Sequence, residues 1–140
     1  MEIINPALAI GLILTLVGIL GAFAVQRFIS YQQAATKFRK SFDAEHTINI
    51  FNSYTIREFK EVFAIHKEAA RIFSGSITSC KRRRFNKAWK EYEQWANKIF
   101  TESSHKPDGV YTLTLVHKGR NFTQEFKHHI NSLLKFAKHT

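Results

Sequence analysis

Cysteine is almost absent from this 140-residue chain: Cys80 stands alone, which excludes an internal disulfide framework and any multi-cysteine zinc site. Two prolines and six glycines exclude collagen-like and low-complexity classes. Acids are scarce, 11 against 21 lysines and arginines, a formal net charge of +10. Catalytic signatures are missing too. There is no G-x-S-x-G elbow, no phosphate loop, no G-x-G-x-x-G, no H-E-x-x-H and no histidine pair at i,i+4. No cofactor is implied by any of these patterns. With 44% hydrophobic and 14% aromatic residues, the chain is no disordered polyelectrolyte, and its length suits one modest soluble domain.

Charge is missing altogether from residues 3–26. Within that stretch residues 7–25 (ALAIGLILTLVGILGAFAV) are apolar apart from Thr15. As a helix they reach roughly 28 Å, close to the hydrocarbon thickness of a bilayer. Backbone groups in lipid must bond within their own segment, so one membrane-spanning helix is expected, with Pro6 in its first turn. The competing reading is a secretory signal cleaved after Ala22-Phe23-Ala24, leaving a basic periplasmic domain. Against it stand the lack of a basic n-region, where Glu2 is the only early charge, and an apolar run longer than signal peptides use. After the span come Arg27, Lys37, Arg39 and Lys40 before the first acid, Asp43. Positive flanks stay in the cytoplasm, so the expectation is N-terminus out and the remainder inside. Ala7, Gly11, Thr15, Gly18 and Ala22 form a small-residue stripe that would let a second copy of the helix approach and form a homodimer.

All 21 basic residues and 10 of the 11 acids follow position 26, so the 114 residues from 27 onward carry a net +11. Apolar residues there recur at helical spacing. Residues 27–42 continue the membrane helix, with Phe28 and Tyr31 at interfacial depth. A second helix is expected over 55–73, opened by the capping box Thr55-Ile-Arg-Glu58 and stopped near Gly75. A third runs over 81–100 on Phe85, Ala88, Trp89, Tyr92, Ala96, Ile99 and Phe100, with Trp95 at the margin. A fourth covers 122–138, capped by Asn121 with Gln124 three residues on. Residues 47–51 and 111–116 read as β-rich and would pair as a small ribbon, the second following the turn signal at 105–109. The predicted fold is therefore mainly α: one transmembrane helix (1–26 with its tail), a juxtamembrane helix and linker (27–53), then a basic cytoplasmic domain (54–140). That domain is expected to be a three- or four-helix bundle with a minor two-stranded element.

The segments Lys37-Phe-Arg-Lys-Ser-Phe42, His66-Lys-Glu-Ala-Ala-Arg-Ile-Phe73, Arg84-Phe-Asn-Lys-Ala-Trp-Lys-Glu-Tyr92 and the closing run from Phe126 to Lys138 resemble, in this order, a group of short bacterial proteins without an assigned activity. Its members look like one membrane helix followed by a small helical cytoplasmic region. The resemblance implies a bacterial inner-membrane setting and a helical domain, and supplies no catalytic residue. The β-rich stretch at 111–116 departs from the pattern.

The sharpest local feature is Lys81-Arg82-Arg83-Arg84, extended by Lys87 and Lys90 along the third helix. A tethered basic face has a ready partner in the anionic leaflet, at roughly 1 kcal/mol per nearby cation. An acidic protein is the next candidate partner. Nucleic acid ranks last, because helix-turn-helix, RNP and zinc-finger patterns are all lacking. A solvated face without a specific partner is the bland alternative. Cys80, beside this cluster at a helix start, is in the position that raises thiol reactivity, but no His/Asn partner motif accompanies it. His66 and His129 fall on apolar stripes, where a histidine ordinarily packs with its tip hydrogen-bonded. Trp95 and Tyr54 are candidates for an exposed partner surface, but their placement beside apolar stripes favours core packing. Two function classes follow: a membrane-anchored binding or scaffold module using the basic face, and a small accessory enzyme with Cys80 or a histidine as reactive group. The missing motifs favour the first.

Overall fold

The computed structural model describes residues 6–43, 56–104 and 122–138. They form four α-helices, α1 (Pro6–Ser41), α2 (Ile56–Ser76), α3 (Ser79–Ser104) and α4 (Phe122–Leu134), closed by a 3₁₀ turn, Lys135–Ala137. No strand occurs among the described residues. The ribbon expected from 47–51 and 111–116 lies outside them, as do the proposed caps Thr55 and Asn121 and residue Tyr54.

α1 is one continuous helix of 36 residues with two unlike halves. Its first half is apolar on every side and exposed on every side, from Leu8 to Val25, with exposed Phe28 and Ile29 following Arg27. It is the one described helix long and apolar enough to cross a membrane, and none of that apolar window is buried. Its second half is packed: Ala34, Ala35, Phe38 and Phe42 are buried. The small Ala34 and Ala35 let the neighbouring helix approach closely, while the phenylalanines fill the space beyond. The last turn tightens, with Phe42 N donating to the Arg39 carbonyl and Asp43 N to that of Lys40.

The other helices follow from their apolar stripes. Phe59, Phe63, His66, Ala70 and Phe73 of α2 recur three or four residues apart and are buried. α2 runs through Gly75, the expected stop, to Ser76. The reason is Ile77: it plugs the core at the turn, 4% exposed, and the helix must reach it. The two-residue turn 77–78 forces α3 back alongside α2. α3 starts at Ser79 and ends at Ser104, longer at both ends than its apolar stripe.

Ring contacts set the register. Along α2 and α3 the pairs Phe73–Phe85, His66–Tyr92 and Phe59–Phe100 ascend on one helix as they descend on the other, so the two are antiparallel. The same holds for α1 against α2 (Phe38–Phe73, Phe42–His66) and α3 against α4 (Phe85–Phe136, Trp95–Phe126). The four segments thus close into an up-and-down bundle, with the 3₁₀ turn returning to α1.

The core is layered and aromatic. At the end where the exposed half of α1 leaves the bundle, Phe38, Phe73, Phe85 and Phe136 form a chain of rings, one per segment, at 4.6, 5.3 and 5.7 Å. The middle layer joins Phe42, His66, Tyr92 and His129. The far layer holds Phe59, Phe63, Trp95, Phe100 and Phe126, beyond the reach of α1. Each fully buried Phe contributes about 2–3 kcal/mol relative to exposure. Seven of the described phenylalanines are buried.

Candidate functional site

The basic cluster sits at a defined place in this architecture. Antiparallel packing puts the start of α3 and the end of α4 at the same end of the bundle, beside Tyr31. There the Tyr31 hydroxyl donates to the Phe136 carbonyl at 2.9 Å. This is also the end from which the apolar half of α1 projects.

A groove of about 630 Å³ opens between α3 and the end of α4. Lys81, Arg84 and Lys87 line one wall, and Lys135 and Lys138 the other. Ala88 and the Phe136 ring form an apolar floor, and Glu91 is the one acid on the lining. Lys135 reaches over the Phe136 ring, its Nζ 5.4 Å from the centroid. Five cations against one acid leave a local net charge of +4. Among the described residues none of these five is within ion-pairing distance of a carboxylate; the ion pairs are Arg57–Glu61, Lys67–Glu93 and Arg71–Glu68.

The groove between α2 and α3 makes the contrast. It is similar in size, about 640 Å³, and also carries two cations, Lys67 and Arg71. Here Lys67 Nζ donates to Glu93 at 3.0 Å, and Arg71 forms a fork on Glu68 at 2.7 and 2.8 Å. The Arg71 guanidinium holds the Glu68 carboxyl below its usual range. Those charges already answer one another.

The six cations singled out in the sequence do not act as one set. Lys81, Arg84 and Lys87 meet in the groove. Arg82 turns away: its guanidinium donates to the Ile77 carbonyl at 3.1 Å, part-buried, and ties the α2–α3 turn. Arg83 and Lys90 are exposed and lie outside the lining. Lys135 and Lys138 complete the site, and sequence reasoning does not find them. The signal available is their i,i+3 spacing at a basic chain end, but nothing local says which face of α3 they meet.

The small-residue stripe Ala7, Gly11, Thr15, Gly18 and Ala22 lies on the exposed half of α1. A Cβ at Gly11 or Gly18 would meet nothing within 4 Å, and the Thr15 hydroxyl donates back to the Gly11 carbonyl at 2.8 Å. The Thr15 hydroxyl is thereby satisfied within its own helix.

Other chemistry-bearing side chains fall in the core. His66 is fully buried, stacked on Phe42 at 4.0 Å, with Nδ1 2.9 Å from the Tyr92 hydroxyl. Burial lowers its pKa from 6.5 to about 4, with the Ser41 backbone acting in the opposite sense. Nε2 nevertheless meets no partner at hydrogen-bonding geometry. Burial likewise pushes the Tyr92 phenol up, so both groups are neutral at physiological pH. His129 is half-buried against Trp95 and Tyr92, and burial lowers it, with His128 adding in the same sense. Trp95, a candidate surface anchor, packs in the far layer instead, and its indole donates to Glu125 at 2.8 Å. Cys80 is exposed. No three His, Cys, Asp or Glu side chains are grouped to hold a metal among the described residues. No protein-family profile, no curated protein and no solved structure matches this chain.

Proposed function

We propose that the chain is a single-span membrane protein whose helical bundle is a binding module, held with its basic end against an anionic membrane surface. The observation that carries this reading is the placing of the groove. The cations of α3 and α4, without a carboxylate partner among the described residues, lie at the bundle end from which the apolar half of α1 emerges. An apolar helix exposed on every side has lipid as its natural solvent. Because α1 is unbroken from Pro6 to Ser41, the bundle is wired rigidly to that segment rather than hung on a linker. The basic flank at Arg27, Lys37, Arg39 and Lys40 supports an orientation with the N-terminus outside and the bundle in the cytoplasm. The resemblance to short bacterial proteins supports the inner membrane as the setting.

The test is fractionation of the full chain with and without Leu16→Lys. The parent stays in the membrane through alkaline carbonate. The substitution, at about 3 kcal/mol against insertion at a span centre, releases a measurable fraction. A reporter fused after Thr140 reads the orientation, and N-terminal sequencing of the mature protein reads whether residues 1–24 are kept. A parent chain released by carbonate overturns the reading.

A further inference from the structure

The groove goes further than a diffuse basic face. We propose that it seats the phosphate headgroup of one anionic phospholipid, drawn from the leaflet in which α1 ends; this rests on the membrane-anchored reading above.

Depth is the first argument. Tyr31 lies six residues beyond Val25, the last residue of the apolar run, hence about 9 Å further along the helix axis. Its hydroxyl is bonded to the carbonyl of Phe136, whose ring floors the groove. The headgroup layer is roughly 5–8 Å thick on each side of the hydrocarbon. Tyr31 thus lies just beyond that layer, and the groove opens at its outer margin, where the long Lys and Arg side chains that line it extend back to lipid phosphates.

Charge is the second. Lys81, Arg84, Lys87, Lys135 and Lys138 converge from two elements on a lining with a single carboxylate, Glu91, and none of the five forms an ion pair among the described residues. Like charges so gathered repel one another, and an incoming anion relieves that repulsion. Arg82, next in sequence, is withheld by its bond to Ile77, so convergence is a product of the fold and not of the run alone.

Shape and selectivity are the third. About 630 Å³ exceeds what a phosphate alone needs and accommodates a phosphoglycerol group. The floor of Ala88 and Phe136 suits its carbon skeleton. A choline or ethanolamine headgroup brings its own cation into a site of net +4 and is disfavoured. Phosphatidylglycerol is thus preferred over phosphatidylcholine.

The experiment uses the full chain in neutral detergent, with phosphatidylglycerol or phosphatidylcholine added and bound lipid counted by native mass spectrometry. Phosphatidylglycerol is retained and phosphatidylcholine is not. Lys135→Gln/Lys138→Gln weakens retention about 30-fold, as expected for two nearby charges. The pair Arg83→Gln/Lys90→Gln, equal in charge but outside the groove, changes it by less than about threefold. Should the first pair fail to fold by circular dichroism, Lys81→Gln/Lys87→Gln serves in its place. Equal losses in the groove and control pairs, or equal retention of the two lipids, overturn the proposal while leaving the anchor intact. Displacement by equimolar inorganic phosphate overturns it in favour of a solute site. Unchanged lipid retention, with loss of a crosslinked acidic protein from native membranes, overturns it in favour of a protein partner. Release by carbonate, in contrast, removes the membrane reading itself.

Discussion

The Tyr31 hydroxyl on α1 and the Phe136 carbonyl at the end of α4, 105 residues apart in sequence, are hydrogen-bonded at 2.9 Å. The bond closes the four-segment ring at the end of the bundle nearest the exposed half of α1. It also orients the turn that carries Lys135 and Lys138. Tyr31→Phe keeps the ring against Phe73 and removes only the donor. The cost is about 1 kcal/mol, seen as a drop of about 4–8 °C in the melting temperature of the full chain in detergent.

The aromatic chain of the same layer sets a larger effect. Phe73 is fully buried and touches the rings of Tyr31, Phe38 and Phe85. Phe73→Ala removes all three contacts and leaves a cavity, costing about 3–5 kcal/mol. Far-ultraviolet circular dichroism then shows loss of the α2–α4 signal at a temperature where the parent is folded, while the apolar half of α1 stays helical in detergent.

Acid sensitivity centres on His66. Its folded pKa of about 4 lies below the ordinary 6.5, so the fold prefers the neutral ring. The stabilisation is complete above pH 6.5 and is lost as pH falls towards 4, up to about 3 kcal/mol. The groups facing His66 are Tyr92, Phe42, Phe126 and the Ser41 backbone, and none carries a negative charge to hold the proton. His129, also lowered, adds a smaller slope of the same sign. Denaturation of the full chain between pH 7 and pH 4 reads the slope directly. His66→Gln flattens it, leaving the His129 part.

Adjacent arginines are predicted to behave differently. Arg82 donates part-buried to the Ile77 carbonyl, and its replacement by Gln leaves that carbonyl without its charged donor. The cost is about 1.5–3 kcal/mol. Both arginines are exposed, but Arg83 makes no such bond to the turn, and Arg83→Gln stays within about 0.5 kcal/mol. Paired melting curves of the two variants, which lose the same charge, separate a structural arginine from a solvated one.

Local periodicity determines what is legible in the sequence. The uncharged run of residues 7–25 and the i, i+3, i+4 stripes define helices because helical hydrogen bonds span four residues. His66 is legible as a packed histidine for the same reason: its position on the stripe of α2 places it in the core. Gly75 marks the end of α2 to within one residue, and the burial of Ile77 just beyond Ser76 fixes the turn. Trp95, marginal on the stripe of α3, packs as its apolar neighbours suggest, but its partners, Phe59 of α2 and Phe126 and Glu125 of α4, come from elsewhere in the chain.

The run Lys81–Arg84 by itself announces a basic helix start, and counting residues is enough to find a net +11 behind an uncharged segment. Tertiary structure alone decides which cations work together. It sends Arg82 to the turn, leaves Arg83 and Lys90 outside, and recruits Lys135 and Lys138 from some fifty residues away. The physical reason is that a groove belongs to two packed elements. Its lining depends on the antiparallel register fixed by the rings of Phe85, Tyr92, Trp95, Phe126 and Phe136, and register between distant helices is a property of side-chain packing that no local pattern encodes.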